Sequence, residues 1–394
     1  MAWWDRRDER RPANGPASRH LQALHRSLRG RRQGSGRPGE CIQGLKRPPL
    51  TSSQMAATNE ATKLPEVLRN EKGRPVAKPP PVLFVGGTGR SGTHVVAKLL
   101  GKHSKMGLVP VEVRFHVEDR GFPGLLSGEV TKEQFLRRLR GFWWRGFQTR
   151  RMRGLYRFVP KDRFELAVAR FEPAFDDDPE GACHDLFFDL LGVRLERAEA
   201  PTLVEQSCDT IAQGATLSRL FPEAKFIHVV RDGRDASASR VSQTHGLVYP
   251  RTRRQGLGWW EERIRSIDAG ARAIPPERLL TVSLDEFLLL GQRALRPFCR
   301  FVRIYPQPKM KRFYRRHMSH ELAHSARWRA GLSDRRAGVL ERDYEEIVSR
   351  LERDGIGCAP LLRRTLDRSL GAGPPDEDVL AFLTGDGTPW QVRV

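Results

Sequence analysis

The stretch "PPPVLFVGGTGRSGTHVVAKLL", Pro79 to Leu100, decides how the rest of the chain is read. "VLFVGG" is an unbroken apolar run of the sort found in a parallel strand buried on both faces. A glycine-rich turn follows, and "GTHVVAKLLGKH" has the apolar spacing of a helix. Strand, glycine turn and helix in this order form a phosphate-binding loop, GxxxxGK[ST], whose backbone N–H groups cradle an anion. Gly87 and Gly92 keep the spacing and Thr93 follows, but the lysine between them is missing. A cation stands instead inside the loop, at Arg90. The amides of Ser91, Gly92, Thr93 and His94 are expected to face an anion at the helix start, aided by the helix dipole. Phosphate binding is therefore retained while the usual handling of a γ-phosphate is not. The bland alternative is a glycine turn used for packing.

Outward from this stretch, the pattern repeats. "PTLVEQS" and "AKFIHVV" read as further buried strands, and "ERLLTVSL" as a fourth, with Asp285 expected to cap the helix after it. Helical segments lie between them: a long section from about Thr131 to Leu191, "DTIAQGATLSRLF", a helix opening in "RDGRDASASRVSQ", and one from Trp259 to Ala273. Strands alternating with helices give an α/β fold of three layers, a central parallel sheet flanked by helices. The aromatic residues Phe142, Trp143, Trp144 and Phe147 are expected to serve packing rather than ligand stacking.

Composition bounds the rest. The 394 residues carry 69 Lys/Arg against 47 Asp/Glu, a net charge of +22. Residues 1–78 alone hold 17 Lys/Arg and 7 Asp/Glu, so nearly half of the excess lies in a segment of low hydrophobic periodicity. That segment reads as a disordered basic extension. Met55 opens "MAATNEATKLPEVL", which has the look of an ordinary protein start; residues 1–54 read either as sequence upstream of it or as a basic arm for an acidic partner. Lysines number 12 and arginines 57, a bias that needs no nucleic acid to explain it, and nucleic acid is not expected as the main partner. The five cysteines are scattered without a CxxC pair or a His/Cys cluster, so neither a disulfide framework nor a metal site is expected. No apolar stretch reaches the roughly 20 residues of a membrane span, and the charged N-terminus is unlike a secretory signal; a soluble, cytoplasmic protein is expected. Residues 79–357 read as the globular domain and 358–394, with "GAGPPDED" and "GDGTPW", as a loosely packed extension.

A second anion site is written in "FIHVVRDGRDASASRVSQ". Arg231 directly follows an apolar strand, at the carboxyl edge where open α/β sheets bind ligands. Ser239 lies eight residues on, about two helical turns along, where it can share an anion with Arg231. Two separated anion sites suggest a ligand with two phosphates.

These motifs, "RSGTH" and then "RDGRDASAS", resemble the sulfotransferases that use 3′-phosphoadenosine 5′-phosphosulfate (PAPS). The wording "LSRLFPEAKFIHVVRDGRDASAS" is similar in particular to tyrosylprotein sulfotransferases and their bacterial relatives, which also carry Arg in the loop, whereas cytosolic small-molecule sulfotransferases have Lys at the position of Arg90. The resemblance runs from about Val82 to Ile356. It implies that Arg90, Ser91, Gly92, Thr93 and His94 hold the 5′-phosphosulfate, and that Arg231 and Ser239 hold the 3′-phosphate. "HSARWRAGLS", His324 to Ser333, resembles a late basic segment of the family, which would bring Arg327 and Arg329 to the 3′-phosphate. A glutamate at nearly the interval of Glu112 from Arg90 is the family's general base, with His116, Glu118 and His94 as competing candidates here. Two departures stand out: His94 replaces the usual Thr or Ser, and Gln206 in "VEQSCDT" replaces a lysine. The implied activity is transfer of a sulfuryl group to a hydroxyl or amine, with PAPS as co-substrate and no metal. The acceptor is open among small molecules, carbohydrates, lipids and peptides, and the oligomeric state is not legible. A P-loop small-molecule kinase and a non-catalytic nucleotide- or polyanion-binding protein are the alternatives.

Overall fold

In the computed structural model residues 81–146, 154–318 and 326–369 are described. The expected extension at 1–78, Phe147, His324 and residues 370–394 lie outside them. Five parallel strands form the centre: β1 (Val82–Gly87), β2 (Met106–Leu108), β3 (Thr202–Glu205), β4 (Lys225–Val230) and β5 (Leu279–Ser283). Their order is β2-β3-β1-β4-β5. After β1 the chain builds β2 and β3 on one side, then crosses to β4 and β5 on the other. The crevice at the carboxyl ends of β1 and β4 is thus the switch point at which such sheets bind ligands. β2 was not expected; "MGL" is too short for its apolar residues to show a period.

Helices cover both faces. In chain order they are α1 (Thr93–Leu100), α2 (Phe122–Ser127), α3 (Lys132–Arg138), α4 (Lys161–Asp177), α5 (Pro179–Leu191), α6 (Val193–Ala198), α7 (Gly214–Leu220), α8 (Gly233–Thr244), α9 (Arg253–Ala271), α10 (Leu284–Leu289), α11 (Leu295–Phe301), α12 (Pro308–His317), α13 (Asp334–Arg353) and α14 (Ala359–Ser369). Successive residues of β1 point to opposite faces, and each face has its own core. Val82 and Phe84 pack with Phe115, Phe187 and Phe226 on one side. Leu83 and Val85 pack with Val96, Leu99, Ile227 and Phe298 on the other. Burying one such side chain contributes about 1.5–3 kcal/mol relative to leaving it in water, and side chains held from both faces leave β1 little freedom to shift. The loop after it therefore has a fixed base.

Two expectations need correction. The helix after β5 is capped by Ser283, whose hydroxyl accepts the Glu286 amide at 3.3 Å, and Asp285 falls within its first turn. The chain beyond 357 is not loose throughout. Leu361, Leu362 and Leu366 of α14 are buried with Trp260, Tyr344 and Leu351. Arg364 makes a fork onto the wholly buried Glu286 at 2.8 and 3.2 Å. A 3.6-residue apolar period in "CAPLLRRTL" carries that signal, but the turn-rich residues after it dominate the reading of the tail. Trp143 is buried and Trp144 lies 4.3 Å from the Phe164 ring, which agrees with a packing role for the aromatic cluster.

Candidate functional site

The loop of residues 87–92 leaves β1 at the switch point. Gly92 has φ 97°, a left-handed conformation that favours glycine, and it starts α1 without any side-chain cap. A Cβ there would stand 2.6 Å from Leu284. No acidic residue occupies the first turn of α1, so the helix start presents its partial positive charge unopposed. The Ser91 hydroxyl is buried without a hydrogen-bond partner.

The two expected anion sites adjoin. Arg90, exposed and also at positive φ, donates from Nε to the Ser239 hydroxyl at 2.9 Å. Arg231, at the end of β4, donates from Nη1 to the Arg90 carbonyl at 3.2 Å. Residues about 140 positions apart thus meet in one crevice. Arg231 also lies 3.7 Å from the buried Asp235. Burial pushes Asp235 up to about 6, against the pull of Arg231 and with Asp232 and Asp285 reinforcing the rise. Asp235 accepts two backbone amides, Ala326 at 2.8 Å and Trp328 at 3.0 Å, and so ties the turn that bears Arg327 and Arg329 to the start of α8. Arg327 is exposed on that turn. Arg329 is engaged elsewhere: it stacks on Trp328 and donates to Glu341 at 2.5 Å.

Across the crevice stands Glu112. Arg114 grips its Oε2 from Nε and Nη2 at 3.1 and 2.8 Å. Burial alone would depress the Arg114 guanidinium; the adjacent Glu112 carboxylate overrides this, so Arg114 is held more firmly cationic than usual. The Cys208 thiol donates to Glu112 Oε1 at 3.5 Å and lies 3.9 Å from the Thr93 hydroxyl. Cys208 is thus the link between the glutamate and the phosphate loop. Burial, with Glu112 and Asp209 nearby, pushes its pKa up and keeps it a thiol.

The other base candidates separate clearly. His94 Nδ1 meets Gln206 Oε1 at 2.8 Å, and Gln206 Nε2 donates to the Val109 carbonyl at 3.3 Å. That second bond fixes the amide, so His94 Nδ1 is the donor and its Nε2 carries the lone pair. Partial burial and then Lys98 lower the His94 pKa, which favours the neutral ring. His116 is fully buried, 3.0 Å from Glu205 and packed against Phe84, Phe115 and Phe187. It belongs to the core. Glu118 is occupied by Arg138 at 3.0 Å and the Trp143 indole at 3.2 Å.

Glu205 does indirect work. Burial opposes its charge, but His116 and three short bonds from Ser207 hold its carboxyl below the usual range. The Ser207 hydroxyl in turn accepts the Arg114 amide at 3.4 Å. The strand end "EQSCDT" therefore orients Arg114, and through it Glu112. Sequence reasoning singled out Gln206 but not Glu205, Ser207 or Cys208. Their signal was their place just past an apolar strand at the sheet's carboxyl edge.

Residues 81–307 match the family model described as the sulfotransferase family. A protein-tyrosine sulfotransferase of Drosophila melanogaster is 24% identical over 224 residues, which is 56% of this chain and 38% of that protein. The chain thus spans well under half the length of that relative. Among solved structures, the sulfotransferase domain of the Synechococcus PCC 7002 olefin synthase aligns at 16% identity and TM-score 0.44, covering 73% of this chain and 98% of that one. The sulfotransferase STF9 of Mycobacterium avium aligns at 17% and 0.38, covering 70% and 77%. With more than half of its residues inside the family model, around the crevice of Arg90, Glu112 and Arg231, the chain belongs to the sulfotransferase family.

Proposed function

We propose that the protein transfers the sulfuryl group of 3′-phosphoadenosine 5′-phosphosulfate to a hydroxyl or amine acceptor. The observation that carries this reading is the Arg90–Ser239 contact at 2.9 Å, with Arg231 on the Arg90 carbonyl. Two anion-binding groups that adjoin suit phosphates on the 3′ and 5′ positions of one ribose. They offer less to a linear triphosphate. The residues present fit the co-substrate: the uncapped start of α1 and the partnerless Ser91 hydroxyl for the 5′ end, Arg231 and Ser239 for the 3′-phosphate. Arg327, exposed on the turn tied to Asp235, would add charge at the 3′ end. Arg329 is given no such role, because Glu341 holds it.

When bound, the co-substrate supplies an activated sulfuryl group whose S–O bond to phosphate breaks as a new bond forms from sulfur to the acceptor, S–O for a hydroxyl and S–N for an amine. By analogy with phosphoryl transfer, the chain's contribution is positioning and charge stabilisation. Arg90 stabilises the charge that gathers on the phosphate side, and being permanently cationic it donates hydrogen bonds, not protons. Glu112 takes the proton of the acceptor, held in place by Arg114 and Cys208. His94, neutral and with Nε2 as its open acceptor, is the second proton acceptor within the same crevice. Glu112→Gln should lower turnover by about 10²–10⁴-fold, the usual worth of a general base, while nucleotide affinity stays within about twofold. An equal loss of affinity would make Glu112 structural.

The acceptor class is open; the Drosophila relative acts, by its name, on protein tyrosine, and a tyrosine-containing peptide is the first acceptor to try. The reading itself is tested by thermal unfolding. 3′,5′-Bisphosphoadenosine should raise the midpoint and ATP with magnesium should not. Equal stabilisation by ATP would favour a kinase and sink the proposal.

A further inference from the structure

The flank of the sheet away from the crevice carries charge that the proposed chemistry does not use. From Phe287 to Met318 the chain has nine Lys/Arg and no Asp/Glu. All nine are exposed: Arg293, Arg296, Arg300, Arg303, and the α12 residues Lys309, Lys311, Arg312, Arg315 and Arg316. The apolar side of α12 is spent on the core, where Met310 and Tyr314 are buried with Phe298, Leu99 and Leu100. Helix α12 packs on α1, and Lys102 of the segment after α1 lies over the Phe313 ring at 5.4 Å. Gln307 and Ser104 exchange two hydrogen bonds at 3.0 and 2.8 Å, which places this surface at the end of α1 opposite the phosphate loop. Lys98 and Lys102 extend the same field, and residues 91–111 contain no acid. Elsewhere arginines are routinely paired, as Arg163 is with Glu196 and Arg254 with Asp343. Among the described residues no acidic partner is paired with Lys309, Lys311, Arg312, Arg315 or Arg316. In their midst Tyr305 is 68% exposed.

We propose that this flank docks the protein on an anionic lipid surface. Concentrated cations with no interspersed acid cost free energy by self-repulsion, a cost that a partner of opposite charge relieves. The cations are spread over α11, α12 and the segment after α1, as a broad anionic surface requires, and one exposed tyrosine suits the headgroup region. Single-stranded nucleic acid would call for several stacking aromatics along a groove, and Phe313 is already covered by Lys102. The contact proposed is electrostatic, and therefore salt-sensitive.

The test is co-sedimentation of the full chain with vesicles of phosphatidylcholine alone, or with about one third phosphatidylserine. Because residues 1–78 are themselves basic, two variants of equal charge change are compared. K309Q/K311Q/R312Q/R315Q should weaken binding to the anionic vesicles by about a hundredfold. R137Q/R335Q/R336Q/R353Q, exposed cations elsewhere, should change it less than about threefold. An unchanged unfolding midpoint shows that the first variant is folded; should it unfold, the single change Lys311→Gln, expected to cost about fivefold, replaces it. The proposal is overturned by equal loss in both variants, by equal binding to neutral vesicles, or by no binding. It is also overturned if a DNA duplex binds more tightly through the same four residues, which would make the flank a nucleic-acid surface.

Discussion

The two helices that flank the crevice begin alike and end up doing different work. Both α1 and α8 follow a buried strand across a short turn, and β1 and β4 are hydrogen-bonded neighbours. Helix α1 opens with a left-handed glycine, no side-chain cap and no acid in its first turn. Helix α8 opens with Asp232, whose carboxylate accepts the Arg234 amide at 2.8 Å, and with Asp235 one turn on. The first helix leaves its amides without a side-chain cap. The second fills that place with its own carboxylates and offers only the side chains of Arg231 and Ser239. One topology thus leaves a helix start open at one strand end and capped by a carboxylate at the next, and the proposed backbone cradle and side-chain clamp rest on that difference.

The largest effect is expected from opening the closed helix. Asp232 caps α8 and also forks onto Arg234, which is fully buried between the Trp328 and Tyr344 rings. Asp232→Ala should cost about 3–5 kcal/mol, because it leaves a buried guanidinium without its main partner. Denaturant titration measures this. A loss below about 1 kcal/mol would mean that the cap alone mattered.

The reverse experiment spoils the open helix. Gly92→Ala puts a Cβ 2.6 Å from Leu284 at φ 97°. The backbone then has to shift, and a left-handed alanine alone costs about 1–2 kcal/mol. Bisphosphonucleotide affinity should fall about a hundredfold, some 3 kcal/mol, as read by calorimetry. Affinity that survived intact would show that the backbone cradle is not the binding element.

Arg231→Ala tests the clamp by itself. Its loss should weaken 3′,5′-bisphosphoadenosine by about 2 kcal/mol, the worth of a hydrogen bond to a charged group, and leave adenosine 5′-phosphate nearly unchanged. Parallel weakening of both ligands would place Arg231 at the 5′ end and merge the two sites into one.

The same contrast explains what the sequence made legible. Continuous apolar runs betrayed the strands that are buried on both faces, and the GxxxxG spacing betrayed the glycine turn and the helix start after it, because both are contiguous signals. Arg231 and Ser239 could be read together because they are only eight residues apart, and the structure brings both to Arg90. Glu112 was reached through resemblance alone. What holds it is Arg114, two residues on, and Cys208. Both the Cys208 contact and the Ser207 bond to the Arg114 amide depend on a meeting of the segment after β2 with the end of β3, more than 90 residues apart. No local period records such a meeting. β2 escaped notice for want of length, and α14 because turn-forming residues surround its apolar stripe. Asp235 looked like one more charge in "RDGRD"; only the folded chain brings the amides of residues 326 and 328 to it.

Asp235 also supplies the smallest and most specific test of the difference between the two helices. Its pKa is raised from the ordinary 3.8 to about 6, first by burial, then by Asp232 and Asp285 against the pull of Arg231. An acid raised by folding favours the native state when protonated. Its contribution is therefore complete below pH 3.8 and fades as the pH rises through about 6. On passing from pH 7 to pH 5, the native protein should gain about 1 kcal/mol relative to Asp235→Asn, which takes up no proton there. Paired unfolding midpoints at the two pH values read this directly. A constant difference between the two proteins would mean that the bonds to Ala326 and Trp328 keep the carboxylate ionised throughout. Helix α8 would then be closed by a fixed charge, and Arg231 beside it would feel the same field at every pH in that range. Helix α1 has no acid in its first turn, and the group that titrates at its start, His94, is lowered by burial and Lys98, so acidification there should cost stability rather than add it.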